Sequence, residues 1–108
     1  MVADDLTVTS RAGVVVVAGE IDISNAPALN QHLSAVDGTL ALDLSGVTFL
    51  GSAGINLLVQ QLRRRGSGRV RILAMSSTVR RMLEITDLTG HFLDGDEEWA
   101  HRPSAAAD

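Results

Sequence analysis

The chain has 108 residues, 45% hydrophobic and 20% charged, with 10 Gly and 2 Pro, the composition of an ordinary folded domain with one hydrophobic core. Thirteen acidic residues against nine basic ones give a formal net charge of −4, and no basic stripe is interleaved with aromatics, so a nucleic-acid ligand is not expected. The absence of Cys excludes disulfides, thiol catalysis and thiolate metal sites. No apolar run approaches the about 18 residues of a membrane helix, and the start Met1-Val2-Ala3-Asp4-Asp5 is acidic where a secretory signal is basic, so the expected location is cytoplasmic.

Leu6 to Ser10 alternate apolar and polar, and Val14 to Ala18 follow the turn-forming Ala12-Gly13 as a continuous apolar run. This predicts a hairpin whose second strand is buried on both faces. After Glu20-Ile21-Asp22-Ile23, the segment Ser24-Asn25-Ala26-Pro27 signals a helix start, with capping side chains ahead of a Pro in the first turn. Leu29, Leu33 and Val36 mark one face of that helix, and Asp37-Gly38 ends it.

Thr39 to Leu44 reads as a strand with Leu40, Leu42 and Leu44 on one side, and Ser45 to Gly51 reads as a loop. A second helix is expected from near Ser52, with Ile55, Leu58, Val59 and Leu62 at helical spacing. Its end carries Arg63-Arg64-Arg65, cations that complement the negative dipole end, and Gly66 as C-cap. Arg69 to Ala74 predicts another strand, Ser76-Ser77-Thr78 a cap, and Val79, Met82, Leu83 and Thr86 a third helix. His91-Phe92-Leu93 is expected to add a short last strand, and Trp99 to anchor the tail. The fold class is therefore α/β: a single domain over residues 6–99 with a mixed four- to five-stranded sheet and crossover helices, between a flexible N-terminus at 1–5 and a flexible tail at 100–108.

If the sheet winds this way, the loops Asp22 to Asn25 and Gly51 to Gly54 open on the same rim, where open α/β sheets place their sites. Ser52 then lies at the N-cap or first turn of a helix, between glycines that let another molecule approach closely. Two readings stand side by side. Ser52 is a helix cap, or it is an exposed hydroxyl whose phosphorylation the helix N-terminus tolerates and a bound partner does not.

Three blocks carry a family resemblance: Gly19-Glu20-Ile21-Asp22, then Asp43-Leu44-Ser45-Gly46-Val47-Thr48-Phe49-Leu50-Gly51-Ser52-Ala53-Gly54-Ile55, then Val79-Arg80-Arg81-Met82-Leu83-Glu84-Ile85-Thr86-Asp87-Leu88. In this order they resemble the STAS domain of bacterial anti-sigma-factor antagonists, over roughly Leu6 to Leu93. The resemblance implies partner switching: the unmodified antagonist binds an anti-sigma factor, itself a serine kinase of the histidine-kinase-like ATPase fold, and so frees a sigma factor. The kinase then phosphorylates the antagonist, and a phosphatase resets it. Ser52 matches the phosphorylated first Ser of the family's Asp-Ser-Ser/Thr/Ala-Gly motif, while Gly51 stands where many members have the Asp and Ala53 follows.

Asp22 matches the acidic position of the first loop, where the family makes partner or phosphate-site contacts; a solvated turn residue is the plainer reading. The expected contact surface comprises Asp22, Ser24, Asn25, Gly51, Ser52, Ala53, Gly54 and Asn56, with Ser24 and Asn25 read first as caps. A monomer or weak dimer is expected, without cofactor, metal, membrane or nucleic acid. The alternative circuit is a constitutive STAS-type adaptor, such as a subunit on a transporter ATPase, and Gly51 is the residue that keeps it open.

An enzyme is not expected. Leu50-Gly51-Ser52-Ala53-Gly54 only superficially matches the Gly-x-Ser-x-Gly elbow of hydrolases, since Leu50 replaces the first Gly and the chain is too short for that fold. His32, His91 and His101 are scattered, so neither a base for Ser52 nor a metal cluster is suggested, and no phosphate-binding glycine loop is present.

Overall fold

The computed structural model describes residues 2–3, 5–66 and 68–88. The elements in chain order are β1 (Val2–Ala3), β2 (Leu6–Arg11), β3 (Val14–Ile21), α1 (Ala26–Ser34), β4 (Leu40–Leu50), α2 (Ser52–Arg65), β5 (Val70–Met75) and α3 (Ser77–Ile85). They build a five-stranded mixed sheet in the order β1-β2-β3-β4-β5. The pairs β1–β2 and β2–β3 are antiparallel, and β3–β4 and β4–β5 are parallel across the crossover helices. The edge strand β1 extends the sheet beyond the expected boundary at Leu6. The expected strand at His91 to Leu93, Trp99, His101 and the tail at 100–108 lie outside the described residues.

The hairpin forms at Ala12-Gly13, both at positive φ as a tight two-residue turn requires. The buried face of the sheet is carried by Leu6 and Val8, Val15 and Val17, Leu40, Leu42 and Leu44, and Val70 and Ile72. Leu29 and Leu33 of α1, Leu57 and Leu58 of α2, and Val79 and Leu83 of α3 pack into the same cluster, so the three helices share one face. This corrects the expectation for the second strand. Val15 and Val17 are buried, but Val14, Val16 and Ala18 point to the face that carries no described helix and are half-buried.

A second correction concerns Ser45 to Leu50, expected as a loop and in fact the second half of β4. Register shifts between Val16 and Ala18 and between Gly19 and Glu20 let β4 continue along β3 as far as Ile21–Leu50. Burial here falls on Leu44, Val47 and Leu50, every third residue, so alternation does not reveal the strand. The side chain of Ser76 fastens this segment to α3: its Oγ donates to the Val47 carbonyl at 2.6 Å and accepts from Val79 N at 3.2 Å as the N-cap.

Helix α2 is rotated from the expected face. Gly54, Leu57, Leu58 and Gln61 are buried, while Ile55, Val59 and Leu62 are half-buried flanks. Arg63, Arg64 and Arg65 fall in its last turn as expected, and Arg65 does more than complement the dipole. Arg65 turns across to α1 and donates to the carbonyls of Leu33, Val36 and Gly38 at 2.8, 2.6 and 2.6 Å, serving the C-terminal end of the neighbouring helix. The rotation brings Gly54 against the sheet, where an added Cβ would fall onto Leu50 Cδ1 and 2.9 Å from Ile21 Cγ2. Leu50 and Ile21 are themselves fully packed. Gly54→Ala is therefore expected to lower stability by about 1–3 kcal/mol, read as a lower urea midpoint at unchanged slope; an unchanged midpoint would show that the seam has room.

Candidate functional site

The last parallel pair, Ile21 with Leu50, sets the two candidate loops side by side, and Gly51 N donates to the Ile21 carbonyl at 3.2 Å to lock them. In the first loop the Asp22 carboxylate folds over its own turn. Its Oδ1 accepts from Ser24 N at 2.9 Å, from Ser24 Oγ at 2.6 Å and from Asn25 N at 3.3 Å. The Ser24 hydroxyl is the main reason the Asp22 carboxyl sits below the ordinary carboxylate range, opposed by desolvation and aided by the two backbone N–H groups. Asp22 thus presents a firmly ionised group at the rim.

Asn25 was expected to cap α1, and it occupies the N-cap position, but its side chain makes no capping bond. It turns inward instead, accepting from Asp22 N at 2.9 Å and donating to the Glu20 carbonyl at 2.8 Å, and it is buried. Ser24 is exposed and holds the Asp22 carboxylate. Of the residues expected at the contact surface, Asn25 and Gly54 are therefore inside the protein and shape the rim from beneath. Asp22, Ser24, Gly51, Ser52, Ala53 and Asn56 lie at the surface or half-buried near it.

In the second loop the N-cap is Gly51, whose carbonyl accepts from Gly54 N and Ile55 N at 3.0 and 3.1 Å. Ser52 is the first helical residue and is exposed. Among the described residues nothing bonds its Oγ, and nothing accepts from the N–H groups of Ser52 and Ala53. The cap-only reading of Ser52 is thereby set aside: the hydroxyl is free, and two helix N–H donors beside it are unspent.

Between α1 and α2 an open groove of about 1000 Å³ runs up to this rim, with Ser52 on its lip. Asp22 and Asn56 line it together with three residues that sequence reasoning passed over, Ile23, Pro27 and Phe49. Ile23 is 82% exposed and Phe49 48%, large apolar side chains left in water beside the free hydroxyl. Their signal in the sequence was weak: Ile23 follows a strand end, and Phe49 falls in the segment read as a loop. The Phe49 ring lies against Gly51: an added Cβ there would come within 3.1 Å of the ring, a contact that a small shift of this half-exposed side chain relieves.

Comparison with known proteins agrees with this architecture. Residues 5–94 match the family model described as "Mlab, STAS domain", and the chain belongs to the STAS domain family. It is similar to the "Anti-sigma-F factor antagonist RsfB" of Mycobacterium tuberculosis, 34% identical over 94 residues that cover 81% of this chain and 77% of the relative. A crystal structure of an anti-sigma factor antagonist from Mycobacterium paratuberculosis aligns over 100% of both chains with 34% identity and a TM-score of 0.67. The unphosphorylated form of SpoIIAA aligns over 94% of this chain and 96% of its own with a TM-score of 0.64, and at 21% identity it shows the shared fold. Among the described residues no helix is long and apolar enough to cross a membrane.

Since the folded-state pKa of Asp22 lies below its ordinary value of 3.8, the carboxylate's contribution to stability is complete above that value and is lost as the pH falls through the lower folded one. Ser24→Ala is expected to move the Asp22 midpoint up towards its ordinary value in a side-chain carbonyl NMR titration. An unmoved midpoint would remove the hydroxyl as the cause.

Proposed function

We propose that this protein is an anti-sigma factor antagonist of the cytoplasm that docks an anti-sigma factor on the rim formed by Asp22, Ser52 and the apolar side chains Ile23 and Phe49, and that phosphorylation of Ser52 switches the docking off. The observation that carries the reading is the free, exposed Ser52 hydroxyl on the lip of an apolar groove, next to two unspent N–H groups at the start of α2. The relatives named as antagonists support the partner class. In this circuit the anti-sigma factor is also the serine kinase, and a phosphatase restores the hydroxyl.

The physical logic is an asymmetry between the fold and the complex. A phosphoryl group adds about −1.5 to −2 charges, and the helix N-terminus tolerates them with a contribution of about 0.3–1 kcal/mol. A partner closing over the groove has to strip water from the same charge, at a cost of several kcal/mol. Since about 1.4 kcal/mol is tenfold in affinity, one phosphate suffices to release a micromolar complex.

Gly51 supports a second reading, a constitutive STAS-type adaptor, because the loop lacks the acid that many family members place before the Ser and Phe49 occupies the adjacent space. Incubation with the anti-sigma factor kinase and ATP separates the two: phosphate on Ser52 is the expected result, and intact binding without phosphate favours the adaptor. In calorimetric titration Ser52→Asp is expected to weaken binding by roughly tenfold or more with the melting temperature nearly unchanged; equal affinities would refute the switch. Asp22→Ala is expected to weaken binding more than it lowers the melting temperature, and the reverse would make Asp22 purely structural.

A further inference from the structure

The groove beside Ser52 has walls on two separate helices, and apolar packing alone does not fix their relative placement. Hydrophobic contact between Leu29 and Leu33 on one side and Leu57 and Leu58 on the other holds α1 near α2, but it is non-directional and tolerates sliding and rotation. The directional contacts between the two helices are polar, and one buried residue stands at their centre. Gln61 is 1% exposed, yet each of its polar atoms is engaged. Its Nε2 donates to Asn30 Oδ1 at 2.8 Å and to Ser34 Oγ at 3.0 Å, both on α1. Its Oε1 accepts from Arg65 Nε at 2.9 Å.

Arg65 in turn grips the end of α1 through the Leu33, Val36 and Gly38 carbonyls, and Asn30 Nδ2 donates to Gln60 Oε1 at 3.3 Å. Asn30 and Gln60 line the groove themselves. One chain of bonds therefore runs from the far end of α1 through Arg65 and Gln61 to the groove wall. Sequence periodicity gives no hint of it, because Gln61 finds its partners on another helix.

We infer that Gln61 is a positioning residue for the docking groove: clasped by Arg65, it sets the register of α1 against α2, and so the shape of the surface offered next to Ser52. The inference rests on the proposed docking role of that groove. A buried amide bonded on both sides specifies one arrangement where an apolar side chain of similar length admits several. Met in its place would fill the space and keep the helices together without their register.

The test uses the absence of native Cys. Spin labels on Ala28→Cys in α1 and Arg63→Cys in α2, both exposed positions, report the distribution of distances between the helices. Gln61→Met is expected to keep the circular dichroism and cooperative unfolding of the parent protein at a lowered melting temperature, to broaden or shift the distance distribution, and to weaken anti-sigma factor binding by roughly tenfold. Arg65→Lys, which replaces the forked guanidinium by a single ammonium, gives the same readout should Gln61→Met fail to fold. An unchanged distribution overturns the inference, as does a changed distribution with unchanged affinity. If the parent protein binds no anti-sigma factor, the proposed function fails, and the distance distribution still decides whether the clasp sets the helix register.

Discussion

The end of the parallel pairing between β3 and β4 governs the molecule. At Ile21 and Leu50 the two strands finish level with each other, and Gly51 N bonding the Ile21 carbonyl carries the pairing one step past the sheet. From that point one chain direction turns through Asp22 into α1 and the other turns through Gly51 into α2. The approach of Gly54 to Ile21 and Leu50 brings the start of α2 down onto the same junction. Each loop closes on itself, the first through Asp22, Ser24 and Asn25 and the second through the Gly51 carbonyl, and the strands beneath fix the two relative to each other.

That dependence explains which parts of the protein were legible in its sequence. The hairpin and the order of strands and helices follow from local signals: alternation in Leu6 to Ser10, a turn at Ala12-Gly13, a Pro in the first turn of α1, and Ser76 ahead of α3. Ser52 was legible as a helix start because Ile55, Leu58, Val59 and Leu62 follow it at helical spacing. The second half of β4 was not, because its register slips along β3 and its buried residues recur every third position. Gln61 and Arg65 escaped for a different reason. A polar residue near the end of a helix is ordinarily solvated, and its inward direction here is set by carbonyl and side-chain acceptors on α1 about thirty positions away in the chain.

The candidate site divides along the same line. Asp22 and Ser52, the two residues the sequence singles out, lie on one rim. Asn25 and Gly54 belong to the rim by position but face inward, where one pins the turn and the other admits the helix. Ile23 and Phe49 were missed because an apolar residue beside a strand end looks like a core residue, and only the structure shows that nothing among the described residues covers them. Exposed aromatic and branched side chains next to an ionised carboxylate make a surface with an apolar centre and a charged edge, the usual anatomy of a protein docking patch.

Electrostatics at this rim also restrict how a partner reads it. Asp22 is held ionised, and no described Lys, Arg or His is in ion-pair contact with it, so its negative charge is present whether or not Ser52 is modified. A phosphoryl group on Ser52 would then add to a charge of the same sign across the groove mouth. The N–H groups of Ser52 and Ala53 would offset part of that charge locally, which protects the fold, but they point at the phosphate from inside and leave its outer face turned to the approaching partner. A partner whose surface matches Ile23 and Phe49 has apolar atoms where that outer face arrives, and apolar atoms cannot replace the water it loses. In the proposed switch the modification would thus act on the complex through desolvation more than through Coulomb repulsion, and added salt, though it screens Asp22, is expected to restore little of the binding lost by Ser52→Asp. Substantial recovery in a titration at high ionic strength would instead assign the effect to long-range repulsion.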